Sequence, residues 1–212
     1  MSTLFFDTET SGLVLEKEPL DSPKQPHLMQ IGAILFDDDD KLVAEYNVVV
    51  QPEKDYVIHP KALEAHGITL EYAKKYGVAR SDAFWLFQNL VSVADDVVAH
   101  NISFDKLMMR IVADSEEYGG GDLFKDKNLL CTMETATPIL KLPFKNAQSK
   151  YTRNKRGKAV RRKRKYKWPT LQECSLYFFG KEFEDAHDAM VDVRVCVDVY
   201  FKMKEMGVEI HG

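Results

Sequence analysis

The sequence is poor in cysteine and contains no long apolar run. Its three cysteines, Cys131, Cys174 and Cys196, are an odd number and widely spaced. This spacing argues against a disulfide framework or a zinc site and favours buried thiols in a reducing, cytoplasmic setting. No apolar stretch approaches the roughly 20 residues that a membrane span needs. Residues 1–3 lead directly into an apolar segment, so we expect neither a signal peptide nor contact with a membrane.

The chain also lacks a strong overall charge, yet its charges are unevenly distributed. The formal net charge is −4, but residues 150–167 contain 11 lysines and arginines and no acidic residue. The rest of the chain therefore has a net charge of −15. A mildly acidic body with one concentrated basic segment is typical of a protein that binds a polyanion at one place.

Length and composition indicate one ordinary globular domain. The 212 residues are 45% hydrophobic and 29% charged, which is enough for a sizeable core. Strand patterns come first, and helical patterns then alternate with short strands, which predicts an α/β fold with a mixed sheet covered by helices. We expect residues 1–212 to form a single domain, with a basic loop inserted at about 141–168.

Periodicity and end signals place the individual elements. The predicted strands start at residue 4 and then cover residues 27–36, 42–50, 97–99 and 129–133. The predicted helices cover residues 61–66, follow Thr69, follow the candidate N-caps Ser81 and Ser103, end before Pro138, begin at Thr170 and cover residues 186–206.

Two acidic residues lie near the end of the first predicted strand. Asp7 and Glu9 are two positions apart, so they project from the same face of an extended chain. At about 5 Å and an effective dielectric constant of about 20, their repulsion costs roughly 3 kcal/mol. A divalent cation with oxygen ligands would offset that cost. The alternative is a strand end with two solvated acids.

Two further aspartates occur at element boundaries. Asp105 lies in the first turn of a predicted helix, where its charge suits either a site or simple compensation of the helix dipole. Asp192 lies in an apolar run, where an unpaired charge is costly. His187 precedes it by five residues, which is about 140° around a helix. We therefore expect His187 on a loop or frayed turn, where it is placed to act as a base on water.

Together these residues resemble a known set of motifs. Asp7-x-Glu9, Asn101-x-x-x-Asp105 and His187-x-Ala189-x-x-Asp192 are similar to the three motifs of DEDDh exonucleases. That superfamily contains the proofreading epsilon subunit of bacterial DNA polymerase III and ribonuclease T. The resemblance extends to residues 66–69 and 168–180 and spans nearly the whole chain. It implies a ribonuclease-H-like fold, with a mixed five-stranded sheet flanked by helices.

The resemblance also implies a catalytic centre. Asp7, Glu9, Asp105 and Asp192 would hold two Mg²⁺ or Mn²⁺ ions about 3.5–4 Å apart. One ion would prepare the attacking water, the other would stabilise the leaving 3′ oxygen, and His187 would take the proton from the water. The expected substrate-binding residues are Thr10, Gly12, Leu13, His66 and Asn101, with Leu13 placed against the terminal base.

For the basic segment the expected role is to bind the phosphates that lead to the 3′ end. The candidate residues are Arg153, Lys155, Arg156, Arg161, Arg162 and Arg164. The alternative is a solvated loop without a ligand.

The expected activity is 3′→5′ hydrolysis of single-stranded DNA to nucleoside 5′-monophosphates, in replication or repair. An RNA-trimming exonuclease remains an alternative, because nothing in the sequence reports on the 2′-hydroxyl. A non-catalytic nucleic-acid-binding module is a further alternative. The expected partner is the 3′ end of single-stranded DNA or RNA, with a DNA polymerase as an additional candidate.

Overall fold

A computed structural model describes residues 1–116, 121–144 and 165–212, together with the backbone of residues 151–153 and 159–161. The main strands are β1 (Thr3–Thr10), β2 (Leu28–Phe36), β3 (Leu42–Val49), β4 (Asp96–Ala99) and β5 (Asn128–Cys131). They form one sheet in the order β3-β2-β1-β4-β5. β1, β2 and β3 pair antiparallel, whereas β4 and β5 continue the sheet in parallel. The predicted mixed five-stranded sheet is confirmed.

Helices cover both faces of this sheet. In the described part of the chain they are α1 (Pro60–His66), α2 (Leu70–Tyr76), α3 (Arg80–Val93), α4 (Ile102–Ser115), α5 (Thr132–Leu140), α6 (Leu171–Phe179) and α7 (Ala189–Glu205). None of the helices in the described ranges is both long and apolar enough to cross a membrane.

The central strand β1 contributes to two separate cores. Leu4 and Phe6 are fully buried in the core that includes α3 and α4, whereas Phe5 is buried in the core formed with α7. Because side chains alternate along a strand, Asp7 and Glu9 continue the Phe5 face toward α7. The two acids thus lie where β1 leaves the core.

A glycine allows α7 to approach the sheet. Gly32 on β2 pairs with Asp7 on β1, and a Cβ at Gly32 would lie 2.8 Å from the carbonyl carbon of Ala189 and 2.9 Å from the nitrogen of Met190. Real Cβ atoms do not approach so closely. The first turn of α7, which contains Asp192, therefore lies against the sheet only because residue 32 has no side chain.

Several predicted helix ends are wrong. The N-cap of α4 is Asn101, which has φ 79° and tolerates this left-handed conformation better than Ser103 would. The N-cap of α3 is Ala79, so Ser81 lies inside the helix. α5 continues past Pro138 to Leu140, since a proline in the last turn removes only one helical hydrogen bond.

The final helix also begins later than predicted. α7 begins at Ala189, and Asp188 is its N-cap, accepting hydrogen bonds from the nitrogens of Met190 and Val191 at 3.0 and 3.2 Å. His187 has φ 72° and lies just outside the helix. The expected loop position of His187 is therefore confirmed.

Part of the predicted basic loop is an antiparallel hairpin. Its strands are β6 (Tyr151–Arg153) and β7 (Ala159–Arg161). The base of the segment is closed by a 3.0 Å hydrogen bond from the Lys167 nitrogen to the Leu142 carbonyl. Of the predicted phosphate-binding residues, Arg153 and Arg161 lie on the two strands; Lys155, Arg156, Arg162 and Arg164 lie outside the described residues.

We predict that Gly32→Ala forces the start of α7 away from the sheet. The expected cost is about 1–3 kcal/mol in the free energy of unfolding, as for other overpacked positions, measured by chemical denaturation. Gly121→Ala is the control, because a Cβ there meets nothing within 4 Å. Equal stabilities of the two variants would contradict the proposed close contact.

Candidate active site

A cleft of about 870 Å³ opens where β1 ends. Its walls include the loop after β1, the end of α1, the start of α4 and the loop before α7. The catalytic and substrate-binding residues expected from the sequence all line this cleft: Asp7, Glu9, Thr10, Gly12, Leu13, His66, Asn101, Asp105, His187 and Asp192. Residues from opposite ends of the chain thus share one cavity.

The aspartate of α4 is held by its neighbour on the central strand. Asp105 is almost completely buried and accepts hydrogen bonds from the nitrogen of Thr8 at 3.1 Å and from its hydroxyl at 2.7 Å. Both bonds reach the same carboxylate oxygen, Oδ1. Successive side chains of β1 point to opposite faces of the sheet. Thr8 therefore orients Asp105 on one face, while Asp7 and Glu9 face α7 on the other.

Three side chains at the other wall converge closely. Glu9, His187 and Asp192 each offer a ligand atom, and these atoms all lie within 4.8 Å of one another. The Oδ1 atom of Asp192 is buried and has no hydrogen-bond partner in the described part of the chain. A buried carboxylate oxygen without a donor is destabilising unless a cation binds there. The two carboxylates of this group fit a hard divalent cation, and the imidazole of His187 lies beside them.

The carboxylates at the end of β1 resist ionisation. Burial raises the pKa of Asp7 well above its ordinary range, and the charges of Asp105, Asp192 and Glu9 raise it further. Burial, followed by the charges of Asp192 and Asp105, raises the pKa of Glu9 to about 8. In the absence of a cation, burial and mutual repulsion therefore make the ionised form of these acids unfavourable.

The pKa values of the two helical aspartates are also raised, although local interactions oppose the effect of burial. Burial raises the pKa of Asp105 to about 7, while the hydrogen bonds from Thr8 lower it. Burial raises the pKa of Asp192 to about 6, and the nearby charge of His187 lowers it. Hydrogen-bond donors and a nearby positive charge favour the ionised form of a carboxyl group, and both are present here.

The rim of the cleft at the turn after β1 has both apolar and polar groups. The Thr10 hydroxyl donates to the Gly12 carbonyl at 2.6 Å and so shapes the turn after β1, which leaves Leu13 80% exposed. His66 Nδ1 accepts from the Ile68 nitrogen at 3.0 Å. Burial lowers the pKa of His66, which favours its neutral form. An exposed apolar side chain thus stands beside hydrogen-bonding groups.

Sequence reasoning missed the role of His100. Its Nδ1 lies 3.0 Å from the Thr132 hydroxyl and its Nε2 lies 3.1 Å from the Pro169 carbonyl. Burial lowers its pKa to about 4, so the neutral ring donates from Nε2 to that carbonyl and accepts from Thr132 at Nδ1. His100 therefore ties the end of the basic segment to the cleft. The sequence feature that could have pointed to His100 was its position next to Asn101, the first residue of the Asn101-x-x-x-Asp105 motif.

Thr8, Gln30 and Gly32 were also missed. Each acts through a partner that is distant in sequence: Asp105 for Thr8, Asp188 for Gln30 and Ala189 for Gly32. No spacing pattern within a strand reports such contacts. Phe104 lines the cleft as well, and its place in the Asn101–Asp105 motif was the signal that sequence reasoning overlooked.

Comparison with known proteins agrees with the family resemblance of the sequence motifs. The family model described as Exonuclease, of the ribonuclease T type, matches residues 4–200. Comparison of the sequence with curated proteins gave no match.

Among solved structures, the chain is similar to E. coli Exonuclease I in complex with a dT13 oligonucleotide, with a TM-score of 0.68 and 20% identity over 96% of this chain and 41% of that one. It is also similar to the zinc-bound E. coli enzyme in complex with single-stranded DNA, with a TM-score of 0.68, 20% identity and coverage of 96% and 40%. For Exonuclease I from Methylocaldum szegediense the TM-score is 0.66, with 20% identity and the same coverage. The chain thus spans about two fifths of the length of these proteins.

We predict that the cation-free protein loses stability as the pH rises from about 5 to about 8. The pKa values of the acids are higher in the folded state than in the unfolded chain, so the folded state binds more protons in this range, and the free energy of unfolding falls with pH. The expected fall is on the order of 3 kcal/mol, measured by denaturation in the presence of a chelator.

The variant Glu9→Gln removes one of these titrating groups and should flatten the pH dependence. Glu182→Gln, at an exposed glutamate, is the matched control and should leave the slope unchanged. A wild-type protein whose stability rises over this range would contradict the assignment of a repulsive cluster.

Proposed function

Because the chain belongs to the exonuclease family, we propose that it is a cation-dependent 3′→5′ exonuclease that releases nucleoside 5′-monophosphates from single-stranded DNA. The observation that carries this proposal is the convergence of Asp7, Glu9, Asp105, Asp192 and His187 in one cleft. A binding module has no need for buried carboxylates that repel one another. The non-catalytic alternative is therefore disfavoured.

The four acids are the proposed ligands of two Mg²⁺ or Mn²⁺ ions. All of their donor atoms are carboxylate oxygens, which both ions prefer, and Asp192 Oδ1 is buried without a hydrogen-bond donor among the described residues. When bound, such ions activate the attacking water and stabilise the leaving 3′ oxygen. The strand and the two helices keep the carboxylates in place before the ions arrive.

His187 is the proposed general base. Its side chain is exposed and lines the cleft, it lies beside Glu9 and Asp192, and its backbone belongs to the loop before α7 rather than to regular helix. From there the imidazole would take a proton from the attacking water. A base of this kind typically contributes about 10²–10⁴-fold to the rate.

The rim of the cleft is the proposed binding site for the terminal nucleotide. Thr10 and Gly12 shape the turn that meets the sugar and phosphate, and Leu13 packs against the base. His66 and Asn101, which also line the cleft, offer further hydrogen bonds. The E. coli Exonuclease I structures that hold dT13 and dA16 oligonucleotides support single-stranded DNA as substrate. RNA remains the alternative, to be tested with matched oligomers.

The basic segment is the proposed track for the phosphates upstream of the 3′ end. Its base is joined to the cleft through the hydrogen bond between His100 and Pro169 and is closed by the contact between Leu142 and Lys167. Its 11 positive charges thus start beside the acidic cleft. We propose that residues 1–212, including this segment, form a single catalytic domain.

We predict that Asp7→Asn abolishes hydrolysis of a labelled single strand in Mg²⁺. His187→Gln should lower kcat by about 10²–10⁴-fold and leave cation affinity, measured by calorimetry, unchanged. Glu184→Gln, at an exposed acid near the same loop, is the control and should retain full activity. Undiminished digestion by Asp7→Asn would refute the cation site, and an unchanged rate for His187→Gln would refute its role as the base.

We further predict that replacing Arg153, Lys155 and Arg156 by glutamine weakens binding to single-stranded DNA and makes it less sensitive to salt. Loss of three phosphate contacts should reduce the slope of log affinity against log salt by about 2, measured by fluorescence anisotropy with a catalytically inactive protein. Hydrolysis of a mononucleotide ester should not change.

The control neutralises Lys41 in the turn between β2 and β3 together with Lys202 and Lys204 in the last turn of α7, none of which lines the cleft. Equal salt slopes for the wild type and the glutamine variant would mean that the basic segment does not bind phosphates.

A further inference from the structure

A buried glutamine on β2 joins the sheet to the start of α7. Gln30 is 4% exposed and pairs in register with Glu9 of β1. Its Nε2 donates to Asp188 Oδ2 and to Asn47 Oδ1, both at 3.0 Å. Its Oε1 accepts from the Ala189 nitrogen at 3.3 Å. Every polar atom of this amide is therefore used.

The partner of Gln30 controls the first turn of α7. The other oxygen of Asp188, Oδ1, accepts from the nitrogens of Met190 and Val191. The Asp188 carbonyl accepts from the Asp192 nitrogen at 3.0 Å. Asp188 thus sets where the helix begins, and it lies between His187 and Asp192. A shift of Asp188 would move both residues relative to Glu9.

Apolar packing alone does not fix the position of α7 along its own axis. The space at Gly32 lets α7 approach the sheet, but apolar contact has no preferred direction along the helix axis. The two hydrogen bonds that join Gln30 to Asp188 and Ala189 are directional, and they are made by a residue opposite Glu9. They are therefore suited to hold the start of α7, with His187 and Asp192, in one position relative to Glu9 on β1.

We propose that Gln30 is a positioning residue that fixes the first turn of α7 on the sheet through Asp188 and so sets the geometry of the cation site and of His187. This inference rests on the proposed function. Gln30 touches neither substrate nor cation; it acts through the N-cap. The charge of Asp188 also adds to the negative field at the cleft, since it raises the pKa values of Asp7, Glu9 and Asp192.

The test exchanges donor and acceptor. Gln30→Leu removes all three hydrogen bonds, and Gln30→Glu replaces the donor with a carboxylate that repels Asp188. The double variant Gln30→Glu/Asp188→Asn reverses the bond, so that the amide at position 188 donates to the carboxylate at position 30. It preserves the net charge, and asparagine remains a good N-cap.

A second glutamine provides a matched control. Gln172 on α6 also uses its whole amide, donating to the Phe183 carbonyl at 2.8 Å and accepting from the Phe183 nitrogen at 3.2 Å. Gln172→Leu therefore removes a similar set of bonds away from the cleft. Its unfolding midpoint in chelator gives the purely structural cost of such a loss.

Two readouts separate positioning from stability: Mn²⁺ affinity by calorimetry and the split between kcat and KM on a single strand. Gln30→Leu and Gln30→Glu should each lose about 10–100-fold in Mn²⁺ affinity and in kcat, as for other residues that orient cation ligands, with KM little changed. Gln172→Leu should keep both values. The double variant should recover most of the loss.

Wild-type Mn²⁺ affinity and kcat in Gln30→Leu, or a double variant no better than Gln30→Glu, would overturn the inference. If Gln30→Leu fails to fold, the comparison of Gln30→Glu with the double variant decides. Failure of the proposed function looks different, because the wild type would then bind no Mn²⁺ or would hydrolyse DNA in chelator.

Discussion

Repulsion among four carboxylates at the end of β1 is the constraint on which the site depends. Asp7 and Glu9 come from the strand, Asp105 from α4 and Asp192 from α7, and burial raises the pKa of each. No local conformation would bring these acids together unaided, since their separation lowers the energy. The apolar cores on both faces of β1 hold them together, and a bound cation would relieve the cost that remains.

The aspartates on the two faces of the sheet are held in place by different interactions. On the α4 side a single strand residue, Thr8, donates two hydrogen bonds to Asp105. On the α7 side the buried Oδ1 of Asp192 has no hydrogen-bond partner among the described residues. Instead, the start of α7 is fixed on the sheet. Gly32 allows the close approach, and the amide of Gln30 forms hydrogen bonds with Asp188 and Ala189. A ligand oxygen thus stays available while its backbone is fixed.

Much of the fold follows from local pattern, and the family match confirms the resemblance to DEDDh exonucleases. Alternation predicted that Asp7 and Glu9 share a face, and the five-residue spacing to Asp192 predicted that His187 lies outside the helix. Local pattern failed where another interaction competed. Asn101 rather than Ser103 is the N-cap of α4 because the turn after β4 requires a positive φ, and residues 151–153 and 159–161 of the predicted basic loop pair as antiparallel strands.

The sequence by itself determined the order of the elements, the sheet type and the acidic and imidazole groups available for chemistry, because these depend on residue type and spacing along one segment. Only the tertiary structure decided which acid faces which wall, that His100 ties the basic segment to the cleft, and that Gln30 and Gly32 seat α7. Those features depend on contacts between residues as many as 159 positions apart, and no periodicity within a segment encodes the partner at such a distance.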